Sequence, residues 1–359
     1  MIWIFHLAVI TILLLIYLYR ENESFFVKST FVYALFIFGQ RWMTGTDFPW
    51  YLKWYLVNHQ PNEPLYRILQ NFVQSNNLYF GLLIFFVFLI TLINNYRFFL
   101  KIDRNVVWII YLYLISEIFF AQLSQLRQFV AISFFLNAYF QSYYGSKVKS
   151  LINILLGAAF HTSVLFLIPV LFVKIKLDRF KLLYLLLLSA ILPLIDVTIF
   201  LRLPLFNRYA HYLGSRFDVG LSGFHYLKFY ALLGILFIFA WYIESYGKNK
   251  VENMILNGII LNMLLYGLSF QFALMIRVSS YFKVFEFIFL AYYFKELAHF
   301  AKPVVKTLVL IFFIGIYTGL AITDPYDVTR YEFRALRIRD ERTDTELRYE
   351  VDTFYDYYE

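Results

Sequence analysis

The sequence predicts an all-α fold: a polytopic integral membrane protein with about ten or eleven transmembrane helices. Three observations carry that expectation. Of the 359 residues, 61% are hydrophobic and 22% aromatic, against roughly 45–50% apolar in soluble domains. The mean hydropathy is +0.63. Apolar runs long enough to cross a bilayer alternate with short loops, most of them rich in Lys and Arg. No hydrophilic stretch before the C-terminal tail is long enough to fold alone, so 1–322 reads as one transmembrane domain and 323–359 as a polar tail.

A span takes about 20 apolar residues. The candidates are 1–19, 25–40, 78–96, 106–121, 126–144, 182–200, 226–243, 254–270, 278–294 and 304–322. The first lacks the basic flank and small-residue cleavage site of a signal peptide, so it is kept as a span. The joins 20–28, 97–104, 147–149, 174–181, 248–250 and 295–306 are basic and read as cytoplasmic. That assignment places the N-terminus, the loops 41–77 and 201–223, and the tail on the periplasmic side.

The segment 151–173 resists this alternation, because basic clusters flank it on both sides. It is long enough for one crossing and too short for two. A single span with a basic outer loop is one solution. A re-entrant pair of half-helices, with His161 at the tip and Pro169 in the returning arm, is the other, tolerated where it faces protein or a wet cavity. In the first outer loop, Leu65, Ile68, Leu69, Phe72 and Val73 follow helical spacing behind Pro64. This predicts a short helix lying along the membrane interface.

The net charge of +8 lies largely in the interhelical loops and reports topology and anionic headgroups, the surrounding membrane lipids, before any nucleic acid. Arg41, Asp47, Glu63, Arg127, Arg202, Arg208, Arg216 and Arg277 break the charge pattern and gather at the outer ends of the spans. Charge at a bilayer boundary costs free energy unless it is solvated, paired or bound. A one-sided set of arginines with carboxylates close by therefore points to an anionic, membrane-resident ligand.

Each of these residues also has a plain reading. Asp47 serves a Gly/Pro turn, or it is a carboxylate held above a cavity as a general base. Glu63 caps the free N–H groups of a helix, or it joins the chemistry. Arg127 ties two helices through Glu117, or its planar fork grips a diphosphate beside Gln125 and Gln128. His161 bonds two helices, or it faces the cavity as a proton acceptor. Arg208 and Arg277 follow the logic of Arg127, whereas Lys283 and Glu286 neutralise one another on one helix.

Absences narrow the chemistry further. The chain has no cysteine, which excludes disulfides, thiolate metal sites and Cys nucleophiles. It has no Gly-rich phosphate loop, no G-x-S-x-G turn, no His-rich metal spacing and no Asp-x-Asp pair. No cofactor or metal is expected, and ATP hydrolysis and nucleotide-sugar transfer are both disfavoured.

In order along the chain come Arg-x-x-x-Gly-x-Asp-x-x-x-Tyr at 41–51, Asn62-Glu63-Pro64-Leu65-Tyr66, Leu126-Arg127-Gln128 and Phe160-His161-Thr162-Ser163. Asn207-Arg208-Tyr209 and Arg277-Val278-Ser279-Ser280-Tyr281-Phe282 follow. Together they resemble the EpsG family of bacterial exopolysaccharide proteins, which includes many Wzy-type O-antigen and capsule polymerases. The resemblance extends over roughly residues 30–330. The family commonly has Ser directly after the His, where this chain has Thr162 and then Ser163. A GT-C-like arrangement of helices is compatible with it.

The resemblance implies polymerisation of undecaprenyl-diphosphate-linked oligosaccharide at the outer face of the bacterial inner membrane. A growing glycan would pass from its lipid diphosphate to the non-reducing end of a new lipid-linked unit, with inversion. Asp47 would be the base, with His161 or Glu63 as substitutes. Arg127, Arg208, Arg277 and Arg41 would hold the diphosphate, and Gln128, Tyr51 and Tyr281 the sugars. A chain-length regulator protein is the partner such a role leaves room for. The alternatives are a flippase or transporter for lipid-linked oligosaccharide, which would line a central path with cations, and a membrane acyltransferase modifying a glycan through a His catalyst.

Overall fold

Helix follows the apolar runs, and each start or stop has a local cause. The computed structural model describes residues 2–102, 104–196, 223–243, 247–272, 275–294, 302–328 and 330–356. Its contacts divide the chain into two compact units, Met1–Phe172 with Tyr317–Glu359, and Val173–Ile316.

The first unit begins with α1 (Ile2–Arg20) and α2 (Glu23–Phe38), the strand β1 (Arg41–Trp42) and the short helices α3 (Phe48–Leu56) and α4 (Pro64–Ser75). It continues through α5 (Phe80–Ile102), α6 (Val106–Leu114), α7 (Glu117–Ser124), α8 (Leu126–Tyr143) and α9 (Lys147–Ala158) to a 3-10 helix, Thr162–Phe172. The second unit holds α10 (Arg179–Ile191), α11 (Gly223–Tyr242), α12 (Lys250–Ser269), α13 (Met275–Ser279) and α14 (Val284–Tyr293). Then α15 (Lys302–Thr323) carries the chain back into the first unit, which closes with β2 (Glu332–Phe333) and α16 (Asp344–Asp356). The side chains of Asn22, Asp178 and Asn249 accept from the backbone N–H groups of Phe25, Lys181 and Glu252 and so start α2, α10 and α12. Pro64 opens α4 where its missing N–H costs nothing.

The protein is a polytopic helical membrane protein. Five described helices are long and apolar enough to cross a membrane, six when α6 and α7 count as one span bent by 56°. Large apolar side chains point outward: Ile4, Ile12 and Leu15 on α1, Phe180 and Leu187 on α10, Ile311 on α15. Such surface is unfavourable in water at about 25 cal/mol per Å² and is at home against lipid.

Several expected spans are shorter or broken, and at two of the breaks serine hydroxyls bond back to helix carbonyls. Ser116 donates its hydroxyl to the Tyr113 carbonyl at the α6–α7 bend. Ser279 and Ser280 both donate to the Ile276 carbonyl, where 278–294 divides into α13 and α14. A hydroxyl competing for helix carbonyls bends or ends the helix. The expected span 182–200 becomes α10 and a 3-10 turn, Leu192–Leu194, and its end lies outside the described residues. The loop 201–223 lies outside them as well, up to Gly223.

The segment 151–173 is broken at its His. The N–H groups of Phe160 and His161 both donate to the Gly157 carbonyl, ending α9 before the 3-10 helix that carries Pro169. Both arms pack on α8. Gly157 approaches so closely that an added Cβ would lie 3.3 Å from the Ala131 carbonyl oxygen.

The tail is a built part of the first unit. β2 pairs antiparallel with β1, setting Arg41 opposite Phe333 and Trp42 opposite Glu332. Arg334 and Arg342 lie over the Trp42 ring, their guanidinium carbons 4.6 and 4.4 Å from it. The Trp42 indole donates to Glu350 at 2.8 Å. Leu347 and Val351 of α16 enter a core shared with Trp42, Phe48, Tyr51, Leu52, Tyr66 and Val130. The tail and α4 thus fix the first loop in place.

Candidate functional site

Three breaks in helix meet at one place in the first unit: the start of α4, the start of α8 and the joint between α9 and the 3-10 helix. The Leu65 N–H donates to the Ala159 carbonyl at 3.0 Å, fastening the first turn of α4 to that joint. Glu63 precedes Pro64, and its side chain makes no capping bond to the helix. Its carboxylate turns inward instead. One oxygen accepts from Arg127 Nη1 at 2.9 Å, and the other lies 3.6 Å from His161 Nδ1. The expected helix-capping role of Glu63 is therefore not what its side chain does.

Aromatic rings surround the guanidinium. Arg127 Cζ lies 5.4 Å from the centroids of Tyr51 and Trp54 and 5.5 Å from that of Tyr66. Tyr51 and Trp54 share a face of α3 by their spacing of three. Accessibility is graded across the group: the Glu63 side chain is 11% exposed, Arg127 18% and His161 30%. His161 is thus the member most open to an incoming molecule. Arg127 Nε, Tyr66 Oη and His161 Nδ1 are buried atoms with no hydrogen-bond partner. Buried polar groups are nearly always satisfied; His161 Nδ1 faces the Glu63 carboxylate at 3.6 Å, which leaves Arg127 Nε and Tyr66 Oη as the two buried atoms able to meet polar atoms of a ligand.

The electrostatics agree with the distances. Burial pushes the Glu63 carboxyl up, but the His161 imidazole and the Arg127 guanidinium outweigh it and hold the carboxyl below the usual range. Burial pushes the Tyr51 hydroxyl up to about 12; the Asp47 charge adds to that and Arg127 opposes it. Asp47 thus lies within electrostatic reach of Tyr51, at the edge of the cluster. It stands half-buried at the start of α3, where its carboxylate makes no capping bond and accepts weakly from Thr46 at 3.4 Å. Its loop is pinned to the α7–α8 break by a 2.7 Å hydroxyl pair, Thr46 with Ser124.

The other expected residues fall elsewhere. Arg41 is 1% exposed; its Nε donates to the Leu123 carbonyl and its Nη1 to that of Phe38. It ties the ends of α2 and α7 together, packed against Phe88, while its Nη2 is a buried atom with no hydrogen-bond partner. Burial lowers its guanidinium to about 9, which leaves it charged at neutral pH. Glu117 accepts from the Tyr326 hydroxyl at 2.8 Å, and the carboxylate on Arg127 is that of Glu63. Gln128 is buried on α8. Arg277, exposed on α13, and Tyr281, buried just after it, belong to the second unit. There Glu286 accepts from Asn262 at 3.0 Å, and Lys283 lies over the Tyr266 ring. Arg208 lies outside the described residues, as do Arg202 and Arg216.

Sequence reasoning passed over Trp54 and Tyr66. The signal for both was present: Trp54 is three residues beyond Tyr51, and Tyr66 closes the Asn-Glu-Pro-Leu-Tyr run. The sequence model of the EpsG family matches residues 24–333, most of the chain. No curated protein and no solved structure matches it.

Proposed function

We infer the function from one premise, that the chain belongs to the EpsG family, whose members are Wzy-type polymerase-like proteins. It is a polysaccharide polymerase-like membrane protein. The reading proposed is an inverting polymerase of undecaprenyl-diphosphate-linked repeat units, for O-antigen or capsule, acting at the periplasmic face of the bacterial inner membrane. The observation that carries it is the convergence of Glu63, Arg127 and His161 beside two unpartnered buried atoms, Arg127 Nε and Tyr66 Oη.

In the proposed step, a sugar hydroxyl of the incoming lipid-linked unit attacks the anomeric carbon of the growing chain. The new glycosidic bond forms as the bond from that carbon to the lipid diphosphate breaks, and the diphosphate leaves with the electron pair. The hydroxyl proton passes to His161. Its Nδ1 is directed at Glu63, so Nε2 is the nitrogen that takes the proton, and the ionised Glu63 stabilises the imidazolium that results. This moves the base from Asp47 to His161, with Asp47 at the edge of the cluster, within electrostatic reach of Tyr51. The Nε of Arg127 and its remaining donors meet charge building on the leaving diphosphate. Arg208, Arg277 and Arg41 stay in the proposal as further donors, the first two on charge alone and Arg41 through its unpartnered Nη2. Because the leaving group is already activated, the reaction needs no nucleotide.

The test is purified protein with lipid-linked repeat unit and nothing else. Formation of lipid-linked polymer supports the reading. Transport without bond formation would turn it into a flippase, and transfer of acetyl groups into an acyltransferase.

A further inference from the structure

We propose that a second groove in the first unit, between α3, α4 and the start of α16, is a binding site for a neutral stretch of glycan. It is lined by Tyr55, Asn71, Gln74, Asn77 and Asp344 among others, and encloses about 580 Å³. That falls within the roughly 300–1,000 Å³ of small-molecule sites. The proposal rests on the polymerase reading for its role, since it places a saccharide site beside the Glu63 cluster. The groove itself is argued from its own chemistry.

That chemistry is side-chain amides with one aromatic ring. An amide offers one acceptor and two donors in a plane, which matches the adjacent hydroxyls of a sugar, and the Tyr55 ring offers a face for C–H groups. Much of this capacity is unspent. Neither the side chain of Asn71 nor that of Asn77 has a hydrogen-bond partner among the described residues, and Gln74 uses only its NH₂, on the Tyr55 carbonyl. Asp344 stands in the first turn of α16, yet capping there is done by Thr343 and Glu346. The Thr343 N–H donates to Glu346 at 2.7 Å and the Glu346 N–H to the Thr343 hydroxyl at 3.3 Å. The Asp344 carboxylate is thereby left to the groove.

Charge selects the ligand class. The lining holds one carboxylate and no cation; at its edge Arg348 donates to the Leu56 carbonyl at 3.3 Å. A site for an acidic sugar or for diphosphate would line itself with Arg. This one fits neutral hexoses or N-acetylhexosamines, whose hydroxyls the amides can both donate to and accept from, and from which the Asp344 carboxylate accepts.

Position gives the role. Glu63 immediately precedes α4 and Gln74 stands near its other end, a distance of about 16 Å at 1.5 Å per residue. A glycan bound in the groove would run along α4 toward the Glu63 cluster. Holding the chain near the reacting end raises its effective concentration between turnovers, so the groove would set how far elongation proceeds.

The experiment measures binding of short, lipid-free neutral oligosaccharides to the full-length protein by saturation-transfer NMR and titration, with uronic-acid-containing oligosaccharides alongside. Asn71 is exposed, so Asn71→Ala removes a contact and Asn71→Trp fills the groove without touching the core. Binding of a neutral member is expected, weakened about tenfold by Asn71→Ala and abolished by Asn71→Trp. Glu63→Gln should leave it unchanged. In the polymer assay Asn71→Trp should shorten chains and leave the first transfer intact. No neutral ligand, tighter binding of the acidic ones, or indifference to both Asn71 variants would overturn the groove. If binding behaves as expected while the purified protein makes no polymer, the polymerase reading falls and the groove stands. If polymer forms at full length with Asn71→Trp and no oligosaccharide binds, only the groove falls.

Discussion

Replacing Glu63 by Gln keeps the shape and one hydrogen bond to Arg127 while removing the charge that the cluster is built around. Two charge centres about 4 Å apart attract by about 4 kcal/mol at an effective dielectric of about 20. Desolvation of both groups cancels much of that, and the amide retains part of the rest. The expected net loss is about 1–2 kcal/mol, a fall in Tm of a few degrees. The pH dependence gives the sign. Because the Glu63 carboxyl is held below its ordinary range in the folded protein, its contribution is fully present above the ordinary carboxylate value. It disappears as the pH falls through the lowered one. Wild type should therefore exceed the variant in thermal stability at about pH 7, with the gap closing in acid. Turnover should drop about 10²–10⁴-fold, because the imidazolium loses its counter-charge. The assays are thermal unfolding of purified protein across pH and single-turnover transfer on lipid-linked repeat unit. A stability gap independent of pH would show that the Arg127 contact is not ionic in effect. Normal turnover would remove Glu63 from the chemistry.

Three further outcomes separate the roles of neighbouring residues. Arg127→Lys keeps a charge and loses both the planar fork and its fit among three aromatic rings, so polymer should be lost while membrane levels of protein stay normal; full-length polymer would refute the fork. His161→Ala should cost about 10²–10⁴-fold in turnover, and Asp47→Asn less, because Asp47 lies at the edge of the cluster; the reverse order in the same assay would return the base to Asp47. Gly45→Ala should destabilise by about 1–3 kcal/mol, since Gly45 has φ +97° and an added Cβ would sit 2.8 Å from the Leu123 carbonyl oxygen and Ser124 Cα; thermal unfolding reads this directly, and an unchanged Tm would mean the loop yields.

Periodicity and charge made the helical membrane character legible, because apolar runs must satisfy their own backbone in lipid. They did not show where 106–121 bends and where 278–294 divides. Hydropathy counts apolar residues and does not see that the hydroxyls of Ser116, Ser279 and Ser280 compete for helix carbonyls. The amphipathic helix after Pro64 was legible for the same reason, and α4 follows it closely. Arg41 illustrates the opposite limit. Sequence shows an arginine beside a turn, and only the packing shows its Nε and Nη1 on the Leu123 and Phe38 carbonyls, with Nη2 buried and unpartnered. The tail reads as polar, yet Trp42 holds it through Arg334, Arg342 and Glu350, hundreds of positions away. No local pattern encodes such a pairing.

The Glu63 cluster joins Glu63, Arg127 and His161, which the sequence offers only as separate candidates. Grouping by membrane face requires only topology, and topology is written in loop charge. Choosing which charge pairs with which requires the turn geometry at three separate breaks. At the α4 start the Leu65 N–H goes to the Ala159 carbonyl and Glu63 makes no capping bond, so its carboxylate is left for Arg127 and His161. Gly157 accepts both joint N–H groups and so ends α9 where His161 stands. Gln125, itself half-buried, ends α7 and lets α8 begin at Leu126, putting Arg127 in its first turn. Each break uses an ordinary device of helix termination, and together they put two side chains from distant positions, Arg127 and His161, around the Glu63 carboxylate. The same logic bears on the rest of the diphosphate grip: Arg127 already has Glu63 as its counter-ion, so the cluster alone is close to neutral. A polyanionic leaving group therefore calls for cations beyond it, and Arg208→Gln and Arg277→Gln together should cost far more in turnover than either alone if they supply that charge.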